Sequence, residues 1–231
     1  MFGNQSSRTK RLSAIQKLLT EHSNGLTTKE VAERLGVTRS TIHRDFVSLS
    51  DSLPLWEDKS GRIGIFPPLN SEVELIISLG ESTRLEFKRT ACWNAFRGIK
   101  DHTLVENVVR SVVGFMNSKG GLILIGVDND GHIVGLDDDL KTADSTKPNK
   151  DGYELFLRNS INSFMSGSAI TFYDIEFVRS RDDKDICKIA VRESSKPMYF
   201  KGMFYVRNGN QTRLLTTQEA VDYISEKWLH G

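Results

Sequence analysis

The sequence predicts an α+β chain in two parts. A small front part holds three short helices and a hairpin, and a larger back part mixes strands with helices. Three observations predict this. Apolar residues recur at helical spacing three times before residue 50, with a glycine turn between the second and third runs. A turn-rich segment with alternating apolar residues follows to residue 66. Beyond residue 80, short apolar runs of strand length alternate with helical patterns.

In the front part, Leu12, Ile15, Leu18 and Leu19 lie on one face of a helix over Arg8–Glu21, which Asn24-Gly25 ends. Thr27 or Thr28 caps a second helix with Glu30 in its first turn and Val31, Ala32 and Leu35 inward. After Gly36, Thr38 caps a third helix with Ile42, Phe46 and Leu49 buried. Leu55–Ile65 reads as a hairpin with a polar turn. Three helices and a hairpin in this order make a winged helix-turn-helix over residues 1–66. Residues 67–79 follow as a Pro67-Pro68 linker and a short helix over Glu72–Leu79.

The back part spans residues 80–231. It is expected to hold a strand over Arg84–Lys88, a helix over Leu104–Met116 and a hairpin of strands Leu122–Val127 and His132–Leu136. Residues 137–152 read as a polar loop, with Asp137-Asp138-Asp139 at its solvated edge. A helix over Tyr153–Met165 precedes strands over Ile170–Arg179, Asp185–Arg192 and Met203–Arg207. Thr216 caps a last helix to Trp228.

Composition narrows the function classes. The 231 residues are 38% hydrophobic and 26% charged, with a net charge of +1. Residues 1–66 carry 10 Lys/Arg against 7 Asp/Glu, a net of +3, and the remainder 21 against 23, a net of −2. A basic front suits nucleic acid. No apolar run approaches the roughly 18 residues of a membrane span, and no secretion signal is visible, so no membrane partner is expected. Cys92 and Cys187, far apart, form no disulfide or zinc framework, so a reduced cytoplasmic setting is expected.

Two constellations carry chemistry. At the start of the third helix, Arg39, Ser40, Thr41 and His43 face a major groove. Arg44 reaches a phosphate or base edge, and Lys59 and Arg62 meet backbone from the wing. The same fold also serves as a protein-binding, RNA-reading or dimer element. In the back part, alternation places Leu85 and Phe87 inward and Arg84, Glu86 and Lys88 on the other face, with Glu81 beside them and Asp128 ending the next strand. Three carboxylates and a lysine can hold a divalent metal and act on a phosphodiester. The spacing alone favours a solvated face with cross-strand partners. Asp128-Asn129-Asp130-Gly131 begins like a calcium loop, yet its twelfth position is Asp139 where a glutamate belongs. Gly120-Gly121 fits a helix end better than a phosphate loop.

Residues 8–66 resemble the DeoR-type winged helix through Glu30-Val31-Ala32-Glu33-Arg34-Leu35-Gly36-Val37-Thr38 and Thr41-Ile42-His43-Arg44-Asp45. Residues 80–215 resemble the Schlafen AlbA-like domain. The matching motifs are Glu81-Ser82-Thr83-x-x-Glu86-Phe87-Lys88, Phe115-Met116-Asn117-x-x-Gly120-Gly121, Leu122–Asp128, Gly131–Leu136 and Phe204-Tyr205-Val206-Arg207-x-Gly209-x-x-Thr212-Arg213. That resemblance implies a nucleic-acid-binding or ATP-binding domain. Some members cleave RNA, tRNA being the expected substrate here, with two glutamates, an aspartate and a divalent metal. Carried over, the acids are Glu81, Glu86 and Asp128, with Asn129 or Asp130 as the alternative third; the metal is Mg²⁺ or Mn²⁺, and Lys88 assists. Lys196, Lys201, Arg207 and Arg213 are the expected groove cations. The resemblance also implies a homodimer, with Val221, Tyr223, Ile224 and Trp228 of the last helix or the Trp93–Phe96 segment as contact surfaces. The rival reading is a non-catalytic DNA-binding regulator whose back domain dimerises or senses a ligand. Trp93, Phe96 and Arg97, between Thr90 and His102, match no family motif.

Overall fold

The computed structural model describes residues 3–66, 72–165 and 169–229. The chain divides into two compact units, Met1–Ser71 and Glu72–Gly231. The expected linker at Pro67-Pro68-Leu69-Asn70 lies outside the described residues.

The first unit is built by local signals. Helices α1 (Gly3–Glu21), α2 (Thr28–Leu35) and α3 (Arg39–Leu49) accompany strands β1 (Leu26–Thr27), β2 (Leu55–Glu57) and β3 (Arg62–Ile65). Thr27 and Glu30 close a capping box on α2: the Glu30 N–H donates to the Thr27 hydroxyl at 3.2 Å, and the Thr27 N–H donates to the Glu30 carboxylate at 2.7 Å. Gly36 ends α2 at φ 64°, a conformation that favours glycine. Thr38 caps α3 by accepting from the Thr41 N–H at 3.3 Å. Ile15, Leu19, Leu26, Val31, Ala32, Ile42, Phe46 and Leu49 form one core. The expected hairpin gains a third strand, because β1 pairs with β3 in the sheet order β1-β3-β2. Two residues are too few to show a period-2 pattern.

The second unit is a four-stranded sheet with helices packed on it. Its elements are α4 (Val73–Ser78), β4 (Leu85–Lys88), β5 (Trp93–Asn94), β6 (Ile99–Lys100), α5 (His102–Met116), β7 (Gly121–Ile125), α6 (Asp137–Ala143), α7 (Lys150–Phe164), β8 (Tyr173–Arg179), β9 (Asp185–Val191), β10 (Tyr205–Asn208), β11 (Gln211–Leu214) and α8 (Thr217–Ile224). The sheet order is β4-β7-β9-β8. β4 and β7 are parallel, with Glu86 opposite Ile123, and α5 is the crossover that parallel strands require. Val105, Val108, Val109, Val112, Val113 and Met116 of α5 are buried against Ile123, Ile125 and Ile189 of the sheet. β10 and β11 form a separate antiparallel hairpin, and β5 and β6 another.

Three expectations are corrected. The strands Leu122–Val127 and His132–Leu136 do not form an extended hairpin; beyond Gly126 only a short antiparallel turn remains, with the Asp128 N–H donating to the His132 carbonyl at 3.0 Å and the Val134 N–H to the Gly126 carbonyl at 2.8 Å. β7 has a partner on each edge, β4 and β9, so the chain after Ile125 turns away and leaves a single bridge between Val127 and Ile133. Residues 137–152 are not a loop, since they hold α6 and the start of α7. Asp137, Asp138 and Asp139 fill the first turn of α6, where carboxylates oppose the positive end of the helix dipole. Nor is Asp139 at a solvated edge, for it is buried. Its carboxylate accepts from the N–H groups of Ala91, Cys92 and Trp93 at 2.7, 3.3 and 3.0 Å, from the Tyr153 hydroxyl at 2.7 Å, and from the Thr90 hydroxyl.

Replacing Asp139 by Ala strands those buried donors, each of which costs roughly 1–3 kcal/mol when left unpaired. The variant should lose more than about 3 kcal/mol of stability in urea unfolding. A midpoint unchanged from wild type would show that this cluster holds nothing together.

Candidate nucleic-acid interface and acidic site

α3 presents a clean polar face. Arg39, Ser40, His43, Arg44 and Val47 are exposed, while Ile42, Asp45, Phe46 and Leu49 are buried. Thr41 is half-buried, its hydroxyl 2.9 Å from that of Thr38 within the cap. Asp45 does not oppose the arginines of the exposed face. It turns inward to Arg11 at 2.5 Å and Arg8 at 3.6 Å, so its charge is neutralised inside the unit. On the wing, Lys59 is exposed in the turn, which Asp58 shapes by accepting from the Ser60 and Arg62 N–H groups at 2.8 and 3.0 Å. Arg62 is not an outward wing contact. Its guanidinium donates to the carbonyls of Asn24 and Gly25 at 3.2 and 3.0 Å and sits 3.6 Å from Glu30. It braces the base of the hairpin.

The acidic site is tighter and drier than alternation suggests. Leu85, Glu86 and Phe87 are all buried, so both faces of β4 are covered. Glu86 is held from two sides: one carboxylate oxygen takes the Arg207 guanidinium, and the other takes the Lys88 ammonium with the Ser111 hydroxyl at 3.5 Å. The Arg207 side chain is 2% exposed. It also donates to the carbonyls of Ser82 and Leu85 at 2.8 and 3.1 Å and lies 4.8 Å over the Phe115 ring. Glu81 accepts from the Phe87 N–H at 2.9 Å. Burial holds the Glu81 carboxyl above the ordinary glutamate range, and the neighbouring Glu86 charge pushes the same way. Asp128 stands apart in the turn after β7. Partial burial works to raise its pKa, but the N–H groups of His132 and Asp130 at 2.8 and 3.1 Å outweigh that and lower it. Arg89 sits 3.7 Å from Asp128.

Glu81 and Glu86 are neighbours, but with Asp128 they do not make a set of three ligand atoms within 4.8 Å of one another. Among the described residues, the acid and histidine ligand atoms that lie within 4.8 Å of one another as a set of three belong to Asp128, Asp130 and His132, on the surface. A divalent cation needs open carboxylate oxygens at about 2.0–2.6 Å. Both Glu86 oxygens already face cations, which makes it a poor ligand for a further divalent ion. As placed, the three carried-over acids do not make one ligand set for Mg²⁺ or Mn²⁺.

Residues 81–216 match the family model described as Schlafen, AlbA_2. The chain belongs to the Schlafen AlbA_2 family. Residues 11–61, before the AlbA_2 domain, match the model described as an HTH domain. The HTH match suggests DNA binding, and the AlbA_2 match suggests a nucleic-acid-binding domain. Eighteen chains of solved structures match. One is the crystal structure of the DIP2311 protein from Corynebacterium diphtheriae, 18% identical, with a TM-score of 0.47. The likeness covers 68% of this chain and 28% of that one. No curated protein matches the chain. No helix among the described residues is long and apolar enough to cross a membrane.

The expected groove cations of the AlbA_2 domain do not form one surface. Arg207 is interior. Lys201 pairs with Glu106 at 2.7 Å and lies over the rings of Phe164 and Phe200. Arg213 pairs with Glu219. Lys196 is exposed. On the last helix, Tyr223 and Trp228 stack around Phe204 of the same domain, and Val221 stays 56% exposed. Sequence reading missed Arg207 as the partner of Glu86. The available signal was an arginine closing the apolar run Phe204-Tyr205-Val206, a position from which a strand sends alternate side chains inward.

Glu86→Gln keeps the side-chain shape but leaves a buried guanidinium without its counter-charge. Breaking a buried pair costs about 3–5 kcal/mol. The variant should unfold at clearly lower urea concentration than wild type, whereas equal stability would remove the structural role assigned to the pair.

Proposed function

We propose that the protein is a DNA-binding regulator. It reads duplex DNA through α3, and its AlbA_2 domain holds nucleic acid without cutting it. The first half rests on the exposed face of α3, where Arg39, Ser40, His43 and Arg44 stand with no acid among them because Asp45 is folded onto Arg11. Arginine suits paired acceptors on guanine, and Ser and His suit phosphate or base edges. Lys59 at the wing turn adds a backbone contact.

The second half rests on Glu86. A metal-dependent nuclease would use that carboxylate as a ligand, and here it already neutralises Arg207 and Lys88, which weakens it for that role. Lys88, expected to assist water or phosphate, is likewise committed to Glu86. The interior of the domain also speaks for a reduced, cytoplasmic setting: Cys92 and Cys187 are free and buried, and burial pushes both thiols above their ordinary range.

Arg44→Ala and Arg39→Ala should each weaken specific duplex binding by about 1–3 kcal/mol if they read bases. Fluorescence anisotropy with duplexes selected from a random pool measures this. Arg62→Ala serves as the contrast, since its expected loss is in stability. Wild-type affinity in both the Arg39 and Arg44 variants would take α3 out of the role.

A further inference from the structure

Ala95 to Lys100, spanning the turn between β5 and β6 and β6 itself, are all exposed, and Phe96 at the turn is 98% exposed. Neither DNA reading by α3 nor the ion pairs of Glu86 use these residues. A phenylalanine with almost no contact on a floppy loop would mean little. This one stands on a braced hairpin. The Asn94 carbonyl accepts from the N–H groups of Arg97 and Gly98 at 3.2 and 2.8 Å, and its side-chain oxygen accepts from Arg97 N–H at 3.1 Å. Its amide donates to Asp101 at 3.0 Å. Gly98 takes φ 64° to close the turn. Below it, the buried Asp139 carboxylate fixes Ala91, Cys92 and Trp93, and the Lys100 ammonium donates to the Ala143 carbonyl at 2.5 Å. The base of the hairpin is thus anchored to α6 at two points, and its tip holds an aromatic ring out in water.

We propose that this hairpin is a contact for single-stranded nucleic acid. Phe96 stacks on an unpaired base, and Arg97 beside it meets the adjoining phosphate. Base stacking asks for one open ring face and a nearby cation, which is what the tip supplies. A protein partner asks for more. A stable interface buries about 800 Å² on each side around an apolar centre, whereas this hairpin exposes only Ala95, Phe96 and Ile99 as apolar side chains, with Arg97 and Gly98 between them. Lys100, at the foot of the hairpin, also borders a cleft of 570 Å³ whose other walls include His102, Phe156, Asn159 and Ser163. Those side chains offer donors, acceptors and an aromatic edge to the next nucleotide along the strand. The inference rests on the nucleic-acid binding assigned above to the AlbA_2 domain. It adds the kind of strand and the residues that hold it.

The test uses the full chain and three labelled probes of one composition: an unstructured RNA, the matching single-stranded DNA and a DNA duplex. Wild type should bind the single strands, with the RNA and DNA arms showing whether the sugar matters. Phe96→Ala should weaken single-strand binding about tenfold and leave duplex binding unchanged. Phe96→Trp should retain binding and show quenching of its indole on addition of the single strand. Phe96→Leu should behave like the alanine variant, because it is apolar but cannot stack. Arg97→Ala should lower the salt slope of single-strand binding by about 0.7. Phe96 is so exposed that none of its variants removes core, and circular dichroism checks their folding. Wild type that fails to bind single strands overturns the nucleic-acid reading of the domain and this inference with it. Wild type that binds while Phe96→Ala binds equally well overturns this inference alone. So does a Phe96→Leu variant that binds like wild type, or a Phe96→Ala variant that changes only the sedimentation of the protein.

Discussion

The ion pair between Glu86 and Arg207 ties the AlbA_2 domain together. It joins β4 of the central sheet to β10 of a hairpin 121 residues later in the chain. Arg207 cannot lie anywhere else once it is buried. Removing a guanidinium from water is costly, and only a well-placed carboxylate and further acceptors repay that cost. Glu86 gives the charge, and the carbonyls of Ser82 and Leu85 and the hydroxyl of Thr212 take other Nη N–H groups, while Nε is buried without a hydrogen-bond partner. The ring of Phe115 from α5 closes one side. Strand, helix and hairpin meet at one cation. The same pair is the ground for the proposed non-cutting role, because an acid that neutralises an interior arginine is a poorer ligand for a metal.

A second buried carboxylate has a comparable role with a different partner. Asp139 gathers backbone N–H groups and two hydroxyls in place of a cation. Oriented amide dipoles stabilise an anion much as a counter-ion does. Its effect is to fix the base of the β5–β6 hairpin, so that Phe96 is held out from the surface. The two acids divide the work: Glu86 closes the region where a nuclease site was expected, and Asp139 supports the surface where a strand of nucleic acid is proposed to lie.

Legibility in the sequence tracks the distance over which each interaction acts. In the first unit, Thr27, Glu30, Gly36 and Thr38 act within four residues of themselves, so the helices can be read directly. The apolar faces of α2, α3 and α5 follow from spacing alone. The partners of Asp139 at Ala91–Trp93 lie 46 to 48 residues away, Arg207 lies 121 residues from Glu86, and Arg62 reaches back 38 and 37 residues to Asn24 and Gly25. Nothing local distinguishes an aspartate that will be buried from one in a solvated run, which is how Asp137-Asp138-Asp139 reads in sequence. Three acids in succession at the start of a helix are the usable hint. The motif Glu86-x-Lys88 stands out as unusual in the sequence. Its meaning changes once β10 delivers a third charge that spacing cannot place.

Whether the AlbA_2 domain holds nucleic acid with its acids engaged internally is tested most directly by incubating the full chain with labelled tRNA and unstructured RNA. The incubation is run with and without Mn²⁺ or Mg²⁺, and the products are followed on a denaturing gel. The RNA should be retained by the protein and remain uncut in every lane. Metal-dependent cleavage by wild type that disappears in a folded Glu86→Gln protein would contradict this reading of the site.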